Sequence, residues 1–229
     1  MGLDRREVPH AFDRIAGTYD LLTALNPGYG RHLRASARRM ELERPRRLLD
    51  LCCGTGASTE ALRAAYPHAE IVALDASAGM LARAKKKPLR VSWVLGDAVD
   101  PRAAGIEGPF DGIFVAYGVR NLPDPDRGLR NMLALLDRDG VLAVHEYALE
   151  DRRARWVWNA VALGVIQPGG LLTAPGAPIY RYLRRSVNEF DGADALERRI
   201  LRAGFRNVRR LPVDGWQRGI VHTFLGRRP

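Results

Sequence analysis

At 229 residues, 46% apolar and 27% charged, the chain can bury one sizeable core, which excludes a peptide-sized or disordered protein and favours one large domain. Its formal net charge of +10 would attract polyanions, but the only lysines are Lys85, Lys86 and Lys87, so the other cations are arginines and a solvated basic surface is the simpler reading. The longest apolar run, Trp156 to Ile166, falls short of the roughly 20 residues that cross a bilayer, the polar Leu3-Asp4-Arg5-Arg6-Glu7 is no export signal, and the adjacent Cys52 and Cys53 suit a reducing, cytoplasmic compartment.

In chain order, residues 9–41 read as helical, with Leu33, Ala37 and Met40 on one face and Arg31, Arg34, Arg38 and Arg39 largely opposite. From residue 46 onward short apolar runs alternate with amphipathic segments, the signature of a doubly wound α/β sheet. The runs are 47–51, 71–75, 91–95, 110–116 and 141–147, each almost continuously apolar as buried parallel strands should be. Between the last two, Asp124 caps a helix with Pro125 in its first turn, and Leu129, Met132, Leu133 and Leu136 form the stripe that faces the sheet. Asp139-Gly140 then turns the chain into the next strand. Residues 151–190, rich in Trp156, Trp158, Pro168-Gly169-Gly170, Pro175-Gly176 and Pro178, break the rhythm and read as an insertion over the sheet's ligand-binding edge. A last helix, with Ala193, Leu196, Ile200 and Ala203 inward and Gly204 as its stop, leads to strands near 207–213 and 219–225. The expected organisation is a single domain: a helical cap over 1–45, a cofactor-binding core over 46–150, a substrate lid over 151–190, and a last helix and strands over 191–229.

The first strand ends in Asp50-Leu51-Cys52-Cys53-Gly54-Thr55-Gly56 before a helix-forming segment. Glycines there let the backbone approach a ligand closely while the helix start offers free N–H donors, so a nucleoside-like cofactor is implied. Asp75 ends the second strand, where an acid accepts from both ribose hydroxyls. A dinucleotide fingerprint needs a third glycine where this chain has Thr59, which counts against NAD. Asp50 beside the loop would repel a pyrophosphate but suits the cationic end of S-adenosylmethionine, and Asp97 in Gly96-Asp97-Ala98 stands ready for an adenine amino group. The bland alternative is that all three acids only cap strand ends.

These residues resemble the class I S-adenosylmethionine methyltransferases and, within them, the menaquinone and ubiquinone biosynthesis C-methyltransferases. The likeness runs through 11–20, 49–56, Leu74-Asp75 with Gly79-Met80-Leu81, Gly96-Asp97-Ala98, Tyr117-Gly118-Val119-Arg120-Asn121-Leu122, Tyr180-Arg181-Tyr182-Leu183, and Gly219-Ile220-Val221. The glycine loop is common to a vast superfamily; the Tyr-Gly-Val-Arg-Asn and Tyr-Arg-Tyr-Leu pieces are far more restrictive. The resemblance implies a seven-stranded, mostly parallel Rossmann-like sheet with an antiparallel last strand. It also implies that Thr55, Asp75, Asp97, Ala98 and Ala116 contact S-adenosylmethionine, with Gly54, Gly56, Ala76 and Met80 beside them and Tyr19 closing over the cofactor.

Methyl transfer from a sulfonium needs positioning and exclusion of water rather than a covalent nucleophile. If the acceptor is a quinol ring carbon, its neighbouring hydroxyl, with a free pKa of about 10, must ionise. Arg120 is the expected stabiliser of that phenolate, or orients a water that takes the proton, because an arginine stays protonated. Asn121 would hold the same water, and Glu146 either accepts a proton or only satisfies the backbone. His145 should point to the opposite face as a packed residue. His222 stands two residues before Phe224, where the family carries a histidine, so the two would share a face and His222 is expected to replace the missing imidazole in part. Trp216-Gln217-Arg218 and Leu22-Thr23 depart from the family pattern on the acceptor side, which keeps other small aromatic or secondary-metabolite acceptors open.

Trp156, Trp158, Val161, Val165 and Ile166 would wall a channel for a prenyl tail or rest on a membrane surface, with Arg152, Arg153 and Arg155 beside lipid phosphates; a helix packed on the sheet or on a second subunit of a homodimer is the alternative. Tyr180 and Tyr182 lie over the acceptor ring or fill the lid. The expected partner is a small lipophilic aromatic acceptor, with peripheral contact at the inner membrane surface. A tRNA or rRNA methyltransferase is the chief rival, but no aromatic-basic stacking platform favours nucleic acid, and no ligand spacing suggests a metal. A non-catalytic cofactor-binding protein is the other rival.

Overall fold

Short runs that are apolar on both faces must be covered on both sides, so they assemble as neighbouring parallel strands between helical layers. The computed structural model describes residues 3–24, 26–173 and 179–229. In it these runs are β1 (Arg47–Leu51), β2 (Glu70–Asp75), β3 (Ser92–Leu95), β4 (Phe110–Ala116) and β5 (Leu136–Tyr147). With β6 (Arg206–Pro212) and β7 (Val221–Arg227) they form one seven-stranded sheet in the order β3-β2-β1-β4-β5-β7-β6. β1 to β5 pair in parallel, and β7 runs antiparallel to both β5 and β6. Strand order reverses between β1 and β4, which opens a crevice beyond their carboxyl ends.

The helices are α1 (Val8–Ala24), α2 (Tyr29–Arg38), α3 (Ala57–Ala65), α4 (Ala78–Ala84), α5 (Pro125–Leu135), α6 (Arg152–Val161), α7 (Gln167–Thr173), α8 (Ile179–Glu189) and α9 (Ala193–Arg202). The helical stretch over 9–41 is two helices, α1 and α2, with a turn around Pro27-Gly28. α5 starts as predicted, with the Asp124 carboxylate accepting from Arg127 N at 2.9 Å and Leu129 and Met132 buried. It ends one residue early, however: Leu136 begins β5, and Leu135 takes the inward place. Asp139, at φ 60°, and Gly140 form an irregularity within β5 rather than a turn before it. Pro175, Gly176 and Pro178 lie outside the described residues, as does the Leu22 side chain.

Leu129, Met132, Leu196 and Ile200 pack one face of the sheet, and Leu33, Ala37, Leu62 and Trp158 the other. A third cluster joins Val8, Ala11 and Ile15 of α1 to Ile179 and Tyr182 of α8, so the cap and the lid pack on each other above the strand ends.

A buried polar chain crosses the second layer. Arg39 Nη1 donates to Thr223 Oγ1 at 2.9 Å, Thr223 and Ser36 hydroxyls are 2.6 Å apart, Ser36 Oγ is 2.8 Å from His145 Nδ1, and His145 Nε2 is 3.0 Å from the Tyr117 hydroxyl. His145 is fully buried, and burial pulls its pKa down to about 3. A histidine lowered in the folded state gives stability that is complete above its unfolded pKa of about 6.5 and is lost as pH falls toward 3. Between pH 7.5 and 5.0 this costs the native state about 2 kcal/mol. Urea denaturation of His145→Gln should show that much less loss over the same interval.

Candidate active site

The turn after β1 is built from left-handed residues. Cys52, Gly54 and Gly56 have φ of 57°, 55° and 87°. At Gly56, which caps α3, a Cβ would also meet the Trp93 ring at 3.1 Å. At Gly54 a Cβ would meet nothing within 4 Å, because this residue lines a cavity of about 290 Å³ at the sheet's carboxyl edge.

Asp75 holds that turn in place. Its Oδ2 accepts from Gly54 N and its Oδ1 from Ser77 N, both at 2.8 Å, and burial raises its pKa against these two donors. Each oxygen keeps a lone pair for a ligand. Asp97 Oδ1 accepts from Val99 N at 2.8 Å, and its side chain is otherwise exposed to the same cavity. Two acids on successive strand ends, a side-chain-free bend and apolar walls from Met80 and Ala98 have the chemistry to hold a ribose diol and an adenine amino group.

Most of the residues expected at the site line this cavity: Gly54, Asp75, Ala76 and Met80, Asp97 and Ala98, Ala116, Arg120 and Asn121, and Tyr19 from α1. Four do not. Asp50 is fully buried and spends its Oδ2 on the hydroxyls of Ser58, at 2.8 Å, and Thr59, at 2.6 Å, so Thr59 ties α3 to β1 instead. Thr55 donates to Asp20 Oδ1 at 2.5 Å. Gly56 heads α3 behind the turn. His222 is 1% exposed with Nε2 3.7 Å from Glu150; it shares a face with Phe224 and pairs with Glu146 near the carboxyl end of β5, yet it lines neither this cavity nor its neighbour.

Thr55 is one latch for the cap. Another is Asp13, whose Oδ1 accepts from Ser77 Oγ at 2.5 Å and from Gly79 N at 2.8 Å. Two acids seven residues apart on α1 thus bind the two turns that frame the cavity, and α1 is held over it. Cys52, Phe12 and Tyr117 also line the cavity; Phe12 and Tyr117 lie within the motifs read from the sequence.

A second cavity of about 510 Å³ adjoins the first, and Phe12, Tyr19, Tyr117 and Arg120 line both. Its other walls are largely apolar or aromatic, among them Ile15, Tyr29, Tyr147, Val161, Val165, Ile166, Tyr180, Tyr182 and Trp216. Of the expected channel residues, Val161, Val165 and Ile166 are in place. Trp158 is instead buried against Tyr147, with ring centroids 4.9 Å apart, and Trp156 is 72% exposed.

Arg120 stands at the junction. It is 4% exposed, donates from Nη1 to Glu146 Oε1 at 2.6 Å and to Tyr117 O at 2.8 Å, and lies 5.2 Å from the Tyr147 ring centroid. Burial alone would weaken its charge, but the Glu146 carboxylate more than reverses this and raises its pKa, so it remains a fixed cation. Glu146 also accepts from Arg120 N and Tyr147 N, which makes it the anchor of the arginine. Asn121 donates to Tyr117 O at 3.1 Å and accepts from the Tyr182 hydroxyl at 3.1 Å, fastening the loop after β4 to α8.

The sheet order, the acid-lined cavity and the adjoining apolar cavity define a class I S-adenosylmethionine-dependent methyltransferase. The ubiE/COQ5 methyltransferase family matches residues 1–227, and the chain belongs to this family. It is similar to demethylmenaquinone methyltransferases of Thermus thermophilus, 34% identical over 85% of this chain and 90% of that one, and of Corynebacterium urealyticum, 32% identical over 99% and 96%. A ubiquinone/menaquinone biosynthesis C-methyltransferase UbiE of Syntrophotalea carbinolica is 33% identical over 95% and 92%. Among solved structures, the plantazolicin methyltransferase BpumL in complex with SAH superposes with a TM-score of 0.66 at 13% identity, covering 97% of this chain and 96% of that one. A SAM-dependent methyltransferase of Thermotoga maritima superposes with a TM-score of 0.65 at 18% identity, covering 96% and 99%. At such identities the structures share the fold.

Proposed function

We propose that this methyltransferase methylates a ring carbon of a demethylated isoprenoid quinol such as demethylmenaquinol. The observation that carries the reading is Arg120, a buried cation at the meeting point of a nucleoside-sized cavity and a larger apolar one. S-adenosylmethionine supplies an electrophilic methyl carbon in the first cavity. There Asp75 would accept from the ribose hydroxyls and Asp97 from the adenine amino group, Gly54 would leave room for close approach, and Tyr19 would close the cavity from α1. In the second cavity the acceptor hydroxyl loses its proton to water, and Arg120 stabilises the resulting phenolate. The neighbouring ring carbon forms the new C–C bond as the C–S bond breaks, and the ring C–H proton leaves as aromaticity returns. Glu146, Asn121 and Tyr117 are positioning residues: they hold Arg120 and the loop after β4 at the junction.

Incubation with radioactive methyl donor and a lipid extract should place label in the organic quinone fraction; label in RNA or protein alone would overturn the reading. Asp75→Ala should weaken S-adenosylmethionine binding roughly 10- to 100-fold, since it removes charge-assisted hydrogen bonds and releases the Gly54 turn. Calorimetric titration measures it.

Peripheral membrane contact belongs to the same reading. No described helix is long and apolar enough to cross a membrane. Yet Trp156, Leu163, Val165 and Leu171 are 72%, 52%, 65% and 63% exposed on the segment that walls the second cavity, with Arg152 and Arg153 exposed beside them. That arrangement suits an anionic lipid surface from which a prenylated ring enters. Flotation with vesicles of phosphatidylglycerol and phosphatidylethanolamine should carry the protein upward, and Trp156→Glu should reduce the floated fraction several-fold. A change in sedimentation without any change in flotation would assign the face to a second copy instead.

A further inference from the structure

The second cavity holds polar atoms that the protein itself leaves without partners. Among the described residues, Asn26 Oδ1, Tyr180 Oη and Arg120 Nε are buried with no hydrogen-bond partner, and all three residues line this cavity. The other buried side-chain atoms in that condition, on Asp50, Arg63, Trp158, Gln217 and His222, belong to residues that line neither site cavity. Buried polar groups are normally satisfied, so three such atoms around one largely apolar space point to a ligand that satisfies them.

Their chemistry states what that ligand carries. Arg120 Nε only donates and suits the ionised oxygen. Asn26 Oδ1 only accepts and needs a hydroxyl hydrogen, while the Tyr180 hydroxyl can donate to the oxygen of that same hydroxyl. Arg120 lines both cavities, whereas Asn26 and Tyr180 line only the second. The acceptor ring therefore presents one oxygen at the junction and another on the side away from the methyl donor.

Both distal residues are held in place. Asn26 N donates to Thr23 O at 3.1 Å, and Asn26 O accepts from Tyr29 N at 3.1 Å, which pins the turn between α1 and α2. The Tyr180 ring packs on Gly170, where any Cβ would collide with it.

Building on the quinol reading above, we propose that Asn26 and Tyr180 recognise the second, un-ionised hydroxyl of the acceptor, so that the site selects dihydroxylated rings over monohydric phenols. The redox consequence follows directly. A quinone carbonyl has no hydrogen for Asn26 Oδ1, so only the reduced ring satisfies the pocket.

The test compares kcat/KM for 2-geranyl-1,4-dihydroxynaphthalene, kept reduced without oxygen, with that for 3-geranyl-1-naphthol, which keeps the reactive hydroxyl and lacks the second. The two rings differ in intrinsic reactivity, so the informative quantity is how their ratio changes between proteins. Asn26→Leu and Tyr180→Phe should each reduce the preference for the dihydroxylated ring about tenfold, and Asn26→Asp, which keeps an acceptor atom at the site, should retain it. Parallel losses on both rings, with the ratio unchanged in Asn26→Leu and Tyr180→Phe, would overturn the proposal. Methyl donor bound but no label in either ring from the unaltered protein would remove the quinol reading, and this inference with it.

Discussion

Arg120→Ala is expected to lower kcat for methyl transfer about a thousandfold while S-adenosylmethionine binding stays within a few-fold, as removal of a preorganised charge from a developing oxyanion does elsewhere. The reason is that the acceptor hydroxyl, with a free pKa of about 10, is almost wholly protonated at neutral pH. A guanidinium in a site sealed by Phe12, Tyr19 and Tyr147 lowers that pKa far more than it would in water. The rate of the unaltered enzyme should therefore level off at a lower pH than that of the variant, which should go on rising toward the free phenol's pKa. The same change strands Glu146, fully buried and paired to Arg120 at 2.6 Å, and breaking such a pair costs about 3–5 kcal/mol of stability. Stability and catalysis separate in the double variant Arg120→Met with Glu146→Gln. It should recover most of the melting temperature and none of the rate. Recovery of the rate would show that Arg120 serves only as the counter-ion of Glu146. Arg120→Lys should fall between, keeping a charge but losing the planar fork that spans Glu146, Tyr117 O and the cavity.

What was legible in the sequence was what short-range pattern controls. Runs such as 110–116 are almost continuously apolar because β4 is buried on both faces, so the apolar pattern alone identifies them. Asp75 and Asp97 stand out because an acid directly after an apolar run marks the carboxyl edge of a strand, and both line the first cavity. Residues whose role depends on how helices dock were not legible. Thr55 reads as a ligand contact from its place in the glycine loop, yet Asp20, on a different element, takes its hydroxyl. Trp156 and Trp158 are two residues apart on α6, and only the rotation of that helix decides that one faces solvent and the other the sheet. Asn26 and Tyr29 meet Tyr180, a residue the sequence already marked for the acceptor ring or the lid, around the second cavity; each of the first two alone resembles an ordinary core or turn residue. His222 shows the limit from the other side: strand alternation gives the face it shares with Phe224 correctly, and it pairs with Glu146 near the carboxyl end of β5, yet it lines neither cavity.

Asp50 yields the second large effect, and its sign is opposite to that of His145. Buried beneath the glycine loop, with only the Ser58 and Thr59 hydroxyls to oppose desolvation, its carboxyl is pushed up from 3.8 to about 7. An acid raised in the folded state gives stability that is complete below its unfolded pKa and is lost as pH rises through its folded one. Between pH 5 and 8 the native state should therefore lose up to about 2.5 kcal/mol through this one group. Asp50→Asn keeps an oxygen for both hydroxyls and carries no charge, so its melting advantage over the unaltered protein should be roughly 5–10 °C larger at pH 8 than at pH 5. Equal melting shifts at both pH values would show that the carboxyl is ionised throughout. If stability were all that mattered, Asn would serve better here. A second effect is expected of the carboxylate, because a negative charge in the low-dielectric base of the loop should favour a sulfonium and an ammonium in the nearby cavity. The same variant should bind S-adenosylmethionine several-fold more weakly at pH 8 and discriminate less between it and its uncharged-sulfur product. A site that trades fold stability for a cationic ligand carries both signatures in one substitution. A purely structural Asp50 would raise the melting temperature and leave the affinity where it was.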